Sequence, residues 1–182
     1  VFTIGIVSRL TDQKGFDLID YMIEEICAPD TQLIVLGTGE AKYENLFRHF
    51  EWKYKDRVSA NIYYSNERSH RIYAACDAFL MPSLFEPCGL SQMIAMTYGS
   101  IPIVRETGGL KDTVEAYNPE TKTGRGFTFK TYNCYDMLDA VWRTYATYHD
   151  KDNWTAVTEN AMSGDYGWDR SARKYLAIYE NI

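Results

Sequence analysis

The run S-R-L-T-D-Q-K-G at 8–15 holds an arginine and a lysine five residues apart, a pair able to grip one anion from a single turn. A planar guanidinium binds phosphate oxygens as a fork and an ammonium adds a point charge. Arg9 and Lys14 therefore suit a diphosphate leaving group whose negative charge grows in a transition state. Paired with Asp12 or Asp17 instead, the same cations make an ordinary solvated loop. A second candidate is the lone acid of M-P-S-L-F-E-P-C-G-L-S-Q at 81–92, Glu86. Pro82, Pro87 and Gly89 punctuate that backbone, and the amides opening the following helix are free to face an anion or a sugar hydroxyl. The competing reading is a proline-braced loop whose acid only caps that helix.

Other motifs carry less chemistry. G-T-G at 37–39 lacks the third glycine of a dinucleotide fingerprint and reads as a tight turn. T-G-G at 107–109 follows an apolar run, so Thr107 and Gly108 either present backbone to a ligand or form a glycine-rich helix entry. Tyr64 either stacks on a nucleobase or covers a sheet end. Asp150 and Asp152 form a D-x-D beside His149 and Lys151, between two helical stretches, and read as a solvated turn rather than a metal site. His49 and His70 fall on helical segments as surface or packing groups. Cys27, Cys76, Cys88 and Cys134 are widely spaced with no C-x-x-C, which predicts reduced thiols and neither zinc nor disulfides.

The elements that must carry these residues alternate. F-T-I-G-I-V at 2–7 reads as a buried strand, and Phe16, Ile19, Met22, Ile23 and Ile26 then recur at helical spacing. Strands follow at 32–36, 58–63, 78–81, 101–104 and 126–129, with helices around 43–52, 69–75, 91–98 and 112–116 between them. A loop is expected at 118–124. The remainder reads as helical: Asn133 caps a helix bearing Met137, Leu138, Val141 and Trp142, and a last helix from about Asp169 carries Ala172, Tyr175, Leu176 and Tyr179 as packing surface. Such alternation predicts an α/β domain with a mostly parallel sheet covered on both faces. Ligands bind such sheets at the carboxyl ends of the strands, and five polar loops (8–15, 37–39, 64–66, the Glu86 turn and 107–109) all fall there.

The 182 residues, 46% of them apolar, suffice for one well-buried core. A net charge of −6 with scattered basic residues argues against a nucleic-acid partner. No apolar run is long enough to span a bilayer and no signal sequence is evident, so an intracellular protein is expected. The start at Val1, inside a strand, suggests an upstream region.

In order and spacing, S-R-L-T-D-Q-K-G, P-S-L-F-E-P-C-G-L-S-Q and T-G-G-L-K-D-T-V resemble the starch synthase and bacterial glycogen synthase family, and S-H-R-I at 69–72 and W-D-R-S-A at 168–172 extend the likeness across the chain. The resemblance implies the Rossmann-like three-layer C-terminal half (1–182) of a two-domain GT-B glycosyltransferase, the N-terminal acceptor half being absent from this chain. It implies glucose transfer from ADP-glucose, with retention and without metal or cofactor, to the nonreducing end of an α-1,4-glucan. The setting would be the cytoplasm of a bacterium, or a plastid if the source is a plant.

By motif position Arg9 and Lys14 would hold the donor phosphates, and Glu86 would bind the glucose and support positive charge near its anomeric carbon. Cys88, Gly89, Leu90 and Ser91 would line sugar and phosphate through their backbone, Thr107 and Gly108 would join the substrate loops, and Tyr64 would lie against the adenine. The sequence departs from related patterns at Ile94, where many retaining transferases have a second Glu, at Leu84, where many members have Arg, and at Ser91, where many have Thr. The family's K-T-G-G-L loop belongs to the N-terminal half and is not found here, so this chain alone is not expected to turn over. Two other functions are open: a nucleotide-sugar module that never catalyses, which the strand-end loops permit, and a dinucleotide-dependent oxidoreductase, which shares the sheet pattern. The single glycine of 8–15 opposes the second.

Overall fold

The computed structural model describes residues 1–28 and 30–181. Strands β1 (Phe2–Val7), β2 (Thr31–Leu36), β3 (Val58–Asn61), β4 (Ala78–Met81), β5 (Ile101–Arg105) and β6 (Phe127–Phe129) form one sheet in the order β3-β2-β1-β4-β5-β6. Every pairing is parallel, so the expected mostly parallel sheet is wholly so. Helices α1 (Phe16–Ile26), α2 (Ala41–Lys53), α3 (Asn66–Ala75), α4 (Ser91–Thr97), α5 (Gly108–Thr113), α6 (Cys134–Tyr148), α7 (Lys151–Met162) and α8 (Trp168–Tyr179) complete the described elements.

Strand alternation sorts the core into two layers. Phe2, Ile4 and Ile6 of β1 point to one face, where they meet Phe16, Ile19 and Ile23 of α1, Phe47 of α2, and Met137 and Val141 of α6. Val7, which alternates with Ile6, points to the other face, towards Ile72, Tyr73 and Cys76 from the region of α3. Met96 of α4, Leu110 of α5, and Val157 and Ala161 of α7 cover the β5 end of that same face. Both faces of the sheet are thereby covered, as an all-parallel sheet requires.

Most element boundaries agree with the sequence pattern, and the departures have local causes. The strand expected to reach Tyr63 ends at Asn61, whose amide turns back to donate to Val35 O at 3.2 Å. The helix expected at 112–116 begins earlier, at Gly108. Asp150 and Asp152 are not a free turn: Asp150 caps α7, accepting from Asn153 N at 3.2 Å, and Asp152 lies in that helix's first turn. The stripe of α8 is real but is not buried against the described residues. Trp168, Tyr175, Leu176, Ile178 and Tyr179 are all exposed and α8 buries none of its described residues. His49 meets Phe50 edge-on and Trp52 at a tilt, and His70 meets the Tyr98 hydroxyl at 3.1 Å. The four cysteines are free. Burial pushes the Cys27 thiol up to about 11 and that of Cys76 to about 12, which keeps both protonated and inert. Among the described residues no helix is long and apolar enough to cross a membrane.

Asn133 caps α6 as its spacing predicts, accepting from Tyr135 N at 2.8 Å and Asp136 N at 3.4 Å. Asn133→Ala leaves those amides without their side-chain acceptor and should lower unfolding free energy by about 1 kcal/mol. The check is an earlier urea midpoint with an unchanged slope.

Candidate active site

The strand order reverses between β1 and β4, which lie side by side at the centre of the sheet. The chain leaves those neighbouring strands for helices on opposite faces, so the loops after them part and leave a crevice at their carboxyl ends. The basic loop 8–15 follows β1 and the Glu86 turn follows β4. Two motifs more than seventy residues apart thus face one another because their strands are adjacent.

Between them lies a cavity of about 350 Å³ lined by Arg9, Lys14, Ser83, Glu86, Gly89, Leu90 and Ser91 among others. Lys14 Nζ stands 2.5 Å from Glu86 Oε2, and Ser83 Oγ is 3.4 Å from the same oxygen. Glu86 is only 7% exposed. A buried carboxylate needs a partner of this kind, since leaving it unpaired would cost several kcal/mol. The ammonium keeps N–H bonds for a ligand after meeting Glu86. Arg9 is exposed, and among the described residues no side chain or carbonyl engages its guanidinium. The cavity therefore presents two cations against one anion.

Backbone geometry holds the loops this close. Gly15 ends the short 3-10 turn Asp12–Lys14 with φ of 80°, and a Cβ there would lie 2.3 Å from Pro82 O. Only glycine fits that approach, which brings Lys14 to the Glu86 turn. Leu84 N donates to Gln13 O at 3.0 Å, and Gln13 Nε2 to Phe85 O at 3.4 Å. On its outer side loop 8–15 is fixed by Leu10 N to Thr38 O at 3.0 Å, by Lys42 to Asp12 at 2.6 Å, and by the Tyr43 hydroxyl to the same carboxylate. The Lys42 and Tyr43 hydrogen bonds hold the Asp12 carboxyl below its ordinary range. Asp12, a rival partner for Arg9 and Lys14 on sequence grounds, is thus committed elsewhere.

The remaining candidate residues divide. Ser91 opens α4 at the cavity and accepts from the buried Tyr73 hydroxyl at 3.1 Å, so its own proton is free to point at a ligand. Among the described residues no side chain caps the first amides of α4. Tyr64 is 88% exposed and lines a second cavity of about 230 Å³, with Gly37, Thr38, Ser65 and Asn66. Arg9 lies between the two cavities and lines both. Cys88 is exposed and lines a separate surface cleft beside α5 and α8, leaving its neighbours Gly89 and Leu90 on the cavity of Glu86. Thr107 and Gly108 line neither of the first two cavities. Gly109 N donates to Glu86 O at 3.1 Å, and a Cβ on Gly109 would fall 1.8 Å from Cys88 O. The T-G-G run supports the Glu86 turn from beneath. That close approach also explains why α5 starts at glycines that sequence spacing assigns to a loop.

Sequence reasoning missed three supporting side chains. Ser83 is buried against Glu86. Gln92 is wholly buried, and its amide nitrogen reaches Gly89 O at 2.9 Å, Cys88 O at 3.3 Å and Thr113 Oγ1 at 3.0 Å. Arg105, at the end of β5, donates to Ser83 O at 2.9 Å and Leu84 O at 2.5 Å. Gln92 closes the 81–92 motif and could have been found there, but nothing in the local pattern around Arg105 marks it.

The chain is 62% identical over its whole length to the glycogen synthase of Lachnoclostridium phytofermentans, and spans 38% of that protein. Among solved structures, the catalytic domain of starch synthase IV from Arabidopsis thaliana, bound to ADP and acarbose, superposes with a TM-score of 0.88 at 39% identity, over 98% of this chain and 38% of that one. The C-terminal domain of a group 1 glycosyl transferase from Francisella tularensis shares the fold, with a TM-score of 0.64 at 18% identity over 88% of this chain and 82% of that one. Residues 2–155, which include every side chain of both cavities, match the family model described as glycosyl transferases group 1, and the chain belongs to that family.

Proposed function

We propose that this chain is the donor-binding half of a glycogen or starch synthase, which transfers glucose from ADP-glucose, with retention, to the nonreducing end of an α-1,4-glucan. The observation that carries the reading is the meeting of Arg9, Lys14 and Glu86 in one cavity at the switch point of the sheet. When the bond between the anomeric carbon and the phosphate oxygen breaks, negative charge grows on the diphosphate and positive charge on the sugar. Arg9 and Lys14 would offset the first, aided by the open amides of α4 and the Ser91 hydroxyl. The Glu86 carboxylate would offset the second, and Lys14 spans both. Tyr64 and the second cavity beside Arg9 would take the base.

Support comes from relatives named glycogen synthase and from the starch synthase that carries ADP. The chain spans 38% of the first relative's length and leaves the apolar stripe of α8 uncovered, which fits an acceptor-binding half supplied by the rest of the protein. Binding of the nucleotide by this half alone is the direct test. Calorimetric titration with ADP is expected to give one site of millimolar or tighter affinity, weakened by added salt. Heat signals equal to buffer at millimolar ADP and ADP-glucose would count against the reading.

A further inference from the structure

The Glu86 turn has no regular secondary structure between β4 and α4, so its shape depends on what its carbonyls meet. Arg105 meets two of them in succession, with Nε on Ser83 O at 2.9 Å and Nη2 on Leu84 O at 2.5 Å, while Nη1 reaches Lys130 O at 3.5 Å. Its guanidinium lies over the ring of Tyr132, 5.5 Å from the centroid. The Tyr132 hydroxyl extends to the other loop, where it lies 3.3 Å from Asp12 O, and meets the Asp17 carboxylate in the first turn of α1 that follows. One stacked pair thus touches the loop that carries Lys14 and the turn that carries Glu86. Neither residue lines the cavity.

We propose that Arg105 and Tyr132 act as positioning residues: a brace outside the cavity that sets the spacing between Lys14 and Glu86, and through it the rate of transfer. The inference rests on the function proposed above. A fork that spans two carbonyls fixes direction as well as distance, which a lysine at position 105 cannot do. Displacements on the order of 1 Å at reacting groups cost roughly a hundredfold in rate, so a brace remote from substrate has leverage. The diphosphate would still be held by Arg9, Ser91 and backbone, so substrate affinity should change little.

The test uses the intact protein with ADP-glucose and glycogen, comparing Arg105→Lys, Tyr132→Phe, Glu86→Gln and the double variant Glu86→Gln with Arg105→Lys. Arg105→Lys is expected to lower kcat by roughly tenfold or more, with donor KM moving by less than about threefold. Tyr132→Phe keeps the stacked ring, loses only the hydroxyl bridge, and should lower kcat by roughly threefold to tenfold. In the double variant the Arg105 change should add less than about twofold to the loss from Glu86→Gln, because the brace acts through that carboxylate.

Effects that multiply would show Arg105 acting elsewhere and overturn the brace, as would wild-type kcat in both Arg105→Lys and Tyr132→Phe. Should Arg105→Lys not yield folded protein, Tyr132→Phe decides: unchanged kcat overturns the proposal. Full activity in Glu86→Gln would instead sink the proposed function itself. A collapse confined to Glu86→Gln, with both brace variants at wild-type rate, would leave the function standing and remove only the brace.

Discussion

Arg9→Ala in the intact protein is expected to lower kcat/KM for glucosyl transfer by on the order of a hundredfold or more, with little change in melting temperature. The guanidinium lies at the junction of both cavities, and among the described residues it makes no ion pair. Removing it leaves no orphaned acid and breaks no interaction that holds the fold. A hundredfold corresponds to about 2.7 kcal/mol, the size of one preorganised charge interaction removed from a transition state. Arg9→Lys should recover only part of the rate, since an ammonium cannot reproduce a forked grip on two phosphate oxygens. Steady-state kinetics with ADP-glucose and glycogen supply the measurement. Wild-type kcat/KM in Arg9→Ala would remove the phosphate role and with it the main argument for a diphosphate donor.

Glu86→Gln is expected to reduce kcat by roughly a thousandfold, a larger effect than that of Arg9→Ala. Glutamine keeps the shape of the side chain and its capacity to accept from Lys14 and Ser83, but it takes away the negative charge that would face the sugar as positive charge develops. Stability responds differently. Lys14 is left without its anion in a site where the two side chains are 17% and 10% exposed, but as the longer and wetter partner it can turn towards the cavity opening. The stability cost should stay near 1–2 kcal/mol, below the roughly 4 kcal/mol that a thousandfold rate loss represents. Lys14→Ala reverses the balance, because it strands a carboxylate that is nearly inaccessible to water, at a cost of about 3–5 kcal/mol. Comparing the two variants by kinetics and by chemical denaturation separates charge at the reacting centre from pairing in the fold. Equal losses of rate and stability in Glu86→Gln would reduce Glu86 to a structural acid.

The resting pair also bears on binding. Lys14 already meets Glu86 in the free protein, so a diphosphate need not displace it; the ligand can use the remaining N–H bonds. A donor of the proposed kind would thus meet Lys14 already held by Glu86, and Arg9 on a loop tied down by Lys42, Tyr43 and Tyr132. Side-chain ordering on binding would then fall mainly on Arg9, whose guanidinium has no partner among the described residues.

Much of the architecture follows from residue spacing. Period-2 and period-3.6 apolar patterns are local, and they place β1, α1 and β4 almost to the residue, while the cap at Asn133 marks the start of α6. The polar loops are also local, and their position after strands puts them at one end of any parallel sheet. Long-range packing supplies what local pattern does not encode. Lys14 and Glu86 meet only because β1 and β4 are neighbours, an outcome of strand order. Asp12 is withdrawn from competition by Lys42 and Tyr43 of another helix. T-G-G comes to support the Glu86 turn because the carbonyls of Glu86 and Cys88 press against its glycines.

Arg105 and Tyr132 give no sequence signal: a strand-end arginine and a loop tyrosine acquire a purpose only from the carbonyls folded around them. For α8 the pattern foretells an apolar stripe but not its partner, since periodicity reports that a face avoids water and says nothing of which surface covers it. Residue order along the chain is enough to set the elements and the chemical endowment of each loop, because both depend on near neighbours. Which of those groups share a cavity is settled by sheet order and close packing, which depend on residues far apart in sequence coming together.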